Sequence, residues 1–197
     1  SPEFELIARL SRIAPSPDDD SRAGELAAHP LDWARFLRLA SHHGVAPLVH
    51  ANLSRVAGVP AHIRERVRQM RLATARGDLA LYAPWLELCR AYDERGIRAL
   101  TLKGFHAVLS IYGEFGLRPV GDLDFLVHRR DVSAAIHLLE EMGYTLFPEW
   151  QAALRHVGLE HILNSTHELA LVSGRGTVVD LHWEAGPRGT MPSGESL

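Results

Sequence analysis

Asp122 and Asp124 stand one residue apart in the otherwise apolar run "GDLDFLV" (Gly121–Val127), and this pairing restricts the fold more tightly than any other feature of the chain. Strand side chains alternate between faces, so Leu123, Phe125 and Val127 point one way while both aspartates point the other. At ~3.3 Å of rise per residue, the two Cα atoms lie about 6.5 Å apart. Carboxylates that close resist ionising together unless a cation stands between them. A strand of this kind needs a core on one face and a charge-compensated place on the other.

A second apolar run carries the same interruption. In "TVVDLHW" (Thr177–Trp183), alternation puts Val178, Asp180 and His182 on one face and Val179, Leu181 and Trp183 on the other. If the two strands are neighbours, ~4.8 Å apart, three carboxylates meet on one sheet face. A divalent cation relieves their repulsion, and oxygen ligands favour Mg²⁺ or Mn²⁺. Two such ions ~3.5–4 Å apart suit an in-line displacement at phosphorus. An isolated Asp-x-Asp also caps helices, makes turns or faces solvent, so the pair alone assigns no function.

Elsewhere the chain divides by its periodicity. "WARFLRLASHHG" has Trp33, Phe36, Leu37 and Ala40 at helical spacing, with Gly44 as a stop. The polar, proline-bearing stretch between Leu10 and Leu26 reads as a mobile link. A helix is expected from Pro60 to about Ala83, bent or broken around Gly77, and another from Pro84 to Gly96. After Gly96 come a strand-like "IRALTL", a helix-like "GFHAVLSIYG", the "GDLDFLV" strand, and a helix capped by Asp131. A short strand "YTLF" and a hairpin in "ELALVSGRGTVVDLHW" complete the pattern. The expected fold is α+β: a helical N-terminal region (5–83), a small mixed sheet with flanking helices (84–184), and a tail (185–197) without periodicity. "SPEF" (Ser1–Phe4) reads as a cloning remnant outside the fold. The end of the chain, directly after a strand pattern, reads as a fragment of something longer.

Composition excludes some functions. A 46% hydrophobic share among 197 residues is enough for a sizeable core, and the formal net charge of −3 argues against global electrostatic capture of nucleic acid. No apolar run reaches the ~20 residues needed to cross a bilayer. The single cysteine, Cys89, fits a reducing, cytoplasmic setting. Twelve histidines raise the question of zinc, but His156, Glu160 and His161 in "HVGLEH" miss the His-x-x-Glu-His spacing. Five arginines against Glu65 between Arg64 and Arg76 fit a solvated helix face or a surface that steers nucleotide or RNA.

The pieces also occur in a characteristic order: "LKG" at Leu102–Gly104, "YG" at Tyr112–Gly113, "RPVGDLDFLV" at Arg118–Val127, "GY" at Gly143–Tyr144 and "DLHW" at Asp180–Trp183. Trp33–Leu48 adds "W…LA…HGVAPL" ahead of them. This order resembles the uncharacterised bacterial nucleotidyltransferases of the DNA polymerase β-like superfamily, over most of Leu31–Trp183. The resemblance implies a polymerase β-like palm in which Asp122, Asp124 and Asp180 are catalytic and bind Mg²⁺ (or Mn²⁺), two ions in all. NTP would be the substrate and an unidentified acceptor hydroxyl on a small molecule, protein or RNA the partner, with no membrane involved. Lys103 and Gly104 would steady phosphates. Arg118 would reach a phosphate or brace Asp122, and His182 would orient the metal site or hydrogen-bond within the sheet. His167-Glu168 starts the hairpin, and the sequence does not decide whether it lies near the same edge. The superfamily's turn carries a serine where this chain has Phe105, which leaves open an alternative: a catalytically inactive binding or accessory module.

Overall fold

The computed structural model describes residues 1–186. They form two compact units: Ser1–Leu79 with Ala107–Val120, and Ala80–His106 with the residues from Gly121 onward. Residues 187–197, most of the expected tail, lie outside the described residues.

The first unit is helical. Helices α1 (Pro2–Leu10), α2 (Pro17–Ala27), α3 (Trp33–His42), α4 (Ala46–Leu53) and the first half of α5 (Ala61–Glu94) enclose a core that includes Leu6, Leu10, Phe36, Val49, Leu53 and Val67. Ser1–Phe4, expected outside the fold, lie in the first turn. Ser1 caps α1, and the buried Glu3 accepts the Asp32 N–H at 3.2 Å. The expected mobile link instead contains α2. Its Ser16 hydroxyl accepts the Asp19 N–H at 3.2 Å while Asp19 accepts the Ser16 N–H at 2.9 Å, with Pro17 opening the helix. This reciprocal cap satisfies donors that a helix start otherwise leaves unpaired. Asp19 also meets Arg9 at 2.9 Å, tying α2 to α1.

Helix α5 runs unbroken through Gly77 and Pro84, where the sequence suggests two helices. Pro84 has no N–H for the Ala80 carbonyl, a local cost. On either side of it, Ile63 and Val67 are buried in the first unit, and Leu88 and Tyr92 in the second. Packing at both ends overrides the local preference. Much of the arginine-rich stretch serves local structure. Arg64 donates to the carbonyls of Leu53, Val56 and Val59, Arg68 pairs with Glu65 at 2.8 Å, and Arg71 pairs with Glu114 at 2.7 Å. Asp78, buried, accepts the N–H groups of Gly116 (2.9 Å) and Val120 (3.0 Å), and so fixes the loop that ends at Val120.

The second unit is built on a five-stranded sheet: β1 (Ala99–Thr101), β2 (Leu123–Val127), β3 (Tyr144–Leu146), β4 (Glu168–Ser173) and β5 (Val178–His182). Its order is β1-β2-β5-β4-β3; β2 and β5 run parallel, and every other pairing is antiparallel. Leu123, Phe125, Leu169, Leu171, Val179 and Leu181 are buried on one face, and Tyr92 of α5 packs on Phe125 with ring centroids 5.1 Å apart. Helix α6 (Gly104–Ala107) leads into a π-helical turn, Val108–Tyr112. Helix α7 (Val132–Glu141) buries Val132, Ala135, Ile136 and Leu139, but Asp131 makes no side-chain cap. A 3-10 turn over Arg129–Asp131 precedes α7 instead, capped by His128. The segment between β3 and β4 holds α8 (Pro148–Ser165), bent at Gly158 (φ 77°); proline at its first position is the readable sign of it. The fold is α+β with a small mixed sheet. None of the described helices is long and apolar enough to cross a membrane.

Candidate active site

The parallel pairing of β2 with β5 decides the site. Its register sets Asp124 opposite Asp180 and Leu126 opposite His182. The β4–β5 hairpin adds Glu168 opposite His182 and Ala170 opposite Asp180. Because Leu123, Phe125, Val179 and Leu181 hold the core face, Asp124, Asp180, His182 and Glu168 share the other. The hairpin register is fixed by its turn. Ser173 and Thr177 are joined through the Ser173 N–H at 2.9 Å, and Gly176 takes φ +83°, a conformation open to glycine at little cost.

Asp124 is the best-anchored member, with a side chain only 1% exposed. Its Oδ1 accepts from Lys103 Nζ at 2.9 Å and lies 3.0 Å from His182 Nε2. Its Oδ2 is buried with no hydrogen-bond partner among the described residues. Burial alone pushes this carboxyl up, but the bonds from His182 and Lys103 outweigh burial and hold it below the ordinary aspartate value. Lys103 is raised above its usual value, chiefly by its bond to Asp124. Asp180 behaves oppositely. Burial, then the charges of Asp122, Asp124 and Glu168, lift its carboxyl above the usual range.

Ligand atoms of Asp124, Asp180 and His182 all lie within 4.8 Å of one another. Asp122, one residue before β2, stands outside that group, although its charge acts on Asp180 and Lys103. The structure thus brings Asp124, Asp180, His182 and Lys103 together and sets Asp122 at their edge. Arg118 lies in Ala107–Val120, half-buried in the first unit. Gly104 opens α6 with φ +48°. Phe105 is fully buried against Tyr82 and Trp85, with ring centroids 5.4 and 5.3 Å away. Its ring anchors the turn that carries Lys103. His156, Glu160 and His161 make no ligand cluster among the described residues, and Glu160 pairs with Arg129 at 3.2 Å.

The donor set suits a divalent ion. Two carboxylates face each other across a parallel pair, and one of their oxygens is buried with no donor among the described residues, a costly state for a charged group. Sequence reasoning had left two residues without a role, Glu168 and Asp78. Counting outward from the hairpin turn pairs Glu168 with His182, whereas nothing in the sequence signals Asp78's hold on the loop.

No curated protein and no solved structure matches the chain. The profile of a family described as uncharacterised nucleotidyltransferases matches residues 29–194, spanning all the elements that build the site. The chain belongs to that family of uncharacterised nucleotidyltransferases.

Proposed function

We propose that the protein transfers a nucleoside monophosphate from an NTP to an acceptor hydroxyl, releasing pyrophosphate, in a Mg²⁺-dependent reaction. The observation that carries this reading is the facing pair Asp124–Asp180 with the unpartnered, buried Oδ2 of Asp124. Asp124 and Asp180, with Asp122 at their edge, would hold Mg²⁺ or Mn²⁺. When bound, such an ion supplies charge neutralisation for phosphate oxygens.

The chain's own groups do the rest. Asp180, facing Asp124 across the parallel strand pair, accepts the proton of the acceptor hydroxyl. Lys103, 57% exposed at its side chain, turns from Asp124 toward the β- and γ-phosphates, while the Gly104 turn lets backbone approach them. His182 keeps Asp124 oriented through its 3.0 Å contact. Catalysis of this kind is positioning and electrostatics rather than covalent chemistry.

One observation favours a second reading, a binding module that has lost turnover: Phe105 removes the hydroxyl expected in the phosphate turn. Label transfer separates the two. The protein is incubated with Mg²⁺, α-labelled NTPs and either RNA or small-molecule extract. Label moves to an acceptor with wild type and falls at least about a hundredfold with Asp124→Asn, at unchanged circular dichroism. Equal transfer by Asp124→Asn would refute the site; no transfer by wild type to any acceptor would favour the module.

A further inference from the structure

Beside the Asp124–Asp180 pair lies a second convergence, of different chemistry. His167 Nε2 is 3.3 Å from Glu168 Oε2, and His182 Nδ1 is 3.0 Å from that same oxygen. Each of the three residues offers a ligand atom within 4.8 Å of the other two. The hairpin builds this arrangement: Glu168 and His182 are directly opposed, and His167 is held next to them by its carbonyl, which accepts the Trp183 N–H at 3.0 Å.

The two nitrogens of His182 are treated very differently. Its side chain is 5% exposed. Nε2 faces Asp124 Oδ1 at 3.0 Å, which makes Nε2 the donor, since an ionised carboxylate only accepts. In the neutral ring Nδ1 then presents a lone pair to the carboxylate of Glu168, buried and without a hydrogen-bond partner among the described residues. A lone pair and an anion 3.0 Å apart repel unless something positive joins them. A positive charge held between them relieves that repulsion, and a metal ion bound by both supplies it.

We propose that His167, Glu168 and His182 bind a zinc ion. Two imidazole nitrogens and one carboxylate oxygen are donors zinc commonly takes, and Mg²⁺ prefers oxygen alone. Ligand atoms each about 2.0–2.2 Å from one ion, at angles of 90–110°, are separated by about 2.8–3.6 Å. The observed 3.0 and 3.3 Å fall in that range. Metal-bound histidines usually donate their other N–H to a carboxylate, and Asp124 is that carboxylate here. His167 and Glu168, with side chains 23% and 39% exposed, leave the remaining coordination position to water. Zinc on Nδ1 would fix the His182 tautomer that donates to Asp124, and would so couple this ion to the neighbouring pair. The proposal goes beyond nucleotidyl transfer and does not depend on it.

The test uses the full chain, freed of metal by dialysis against chelator, with no Mg²⁺ and no nucleotide. Zn²⁺ is titrated by calorimetry, and Co²⁺ serves as a spectroscopic probe. The expected result is one saturable Zn²⁺ site per chain and a visible d–d band of tetrahedral intensity with Co²⁺. His167→Gln and Glu168→Gln each weaken Zn²⁺ at least about tenfold and abolish the band. Both side chains are partly exposed, so the variants are expected to keep the wild-type circular dichroism. No saturable Zn²⁺ binding would overturn the proposal, as would equal affinity in both variants, which would mean adventitious binding at other histidines. So would ¹⁵N shifts of His182 showing both ring nitrogens protonated in the presence of Zn²⁺.

Discussion

Asp124 has donors on one oxygen and none on the other, and its neighbour Asp180 is lifted above the usual carboxylate range by burial and by the surrounding charges. A carboxyl raised in the folded state is less readily ionised there than in the unfolded chain, so at neutral pH its charge opposes folding. Asp180→Asn is therefore expected to raise the melting temperature of the metal-free protein at pH 7 by about 2–4 °C, or about 1 kcal/mol, while abolishing transfer. A lower melting temperature would mean that Asp180 stabilises rather than strains the sheet. At this scale much was legible. Alternation alone puts Asp180 and His182 on one face of their strand and Asp124 on the polar face of its own, because apolar neighbours leave a strand little choice. The sequence offers Lys103 as a phosphate ligand but not its 2.9 Å contact with Asp124, since the register that sets it there belongs to the fold. Asp122 lies one residue before β2, where strand alternation no longer governs direction.

Individual elements record where local signals compete. Helix α2 depends on the reciprocal cap of Ser16 and Asp19. The Ser16 backbone N–H, then Arg9 and the Ser16 hydroxyl, hold the Asp19 carboxyl far below its ordinary value. A depressed folded-state value stabilises above the unfolded carboxylate pKa of about 3.9 and fades as pH falls through the folded one. Asp19→Asn should therefore lower the urea midpoint at pH 7, with the deficit shrinking as the pH is taken below about 4. A pH-independent deficit would assign Asp19 a purely steric role. The loop ahead of β2 is equally specific. Gly116 has φ +78°, and a Cβ there would meet the Ala75 Cβ at 2.7 Å. Gly116→Ala should cost about 2–3 kcal/mol, read from denaturant midpoints, because both the backbone and the packing oppose it. The proline-bearing link was misleading because polar composition outweighs a four-residue cap in a pattern reading. Pro84 was misleading because a helix pinned at both ends tolerates what an isolated one does not.

For the molecule as a whole, the α+β class follows from a change of period near Gly96, from helical spacing to alternation. The parallel β2–β5 pairing could not be read in the same way, since no local signal says which of several strands lie side by side. That pairing is what turns two separated aspartates into one site, and the family match over residues 29–194 embraces both strands. The proposed metal–nucleotide site would stabilise the folded chain only when both ligands are present. The most direct measurement is the melting temperature of wild type and Asp124→Asn with NTP alone, Mg²⁺ alone, and the two together. At about a hundred times the dissociation constant, the combination should add about 2.7 kcal/mol, or about 5–10 °C, to wild type and little to the variant. An equal shift in both proteins, or a wild-type shift that needs no Mg²⁺, would contradict the account.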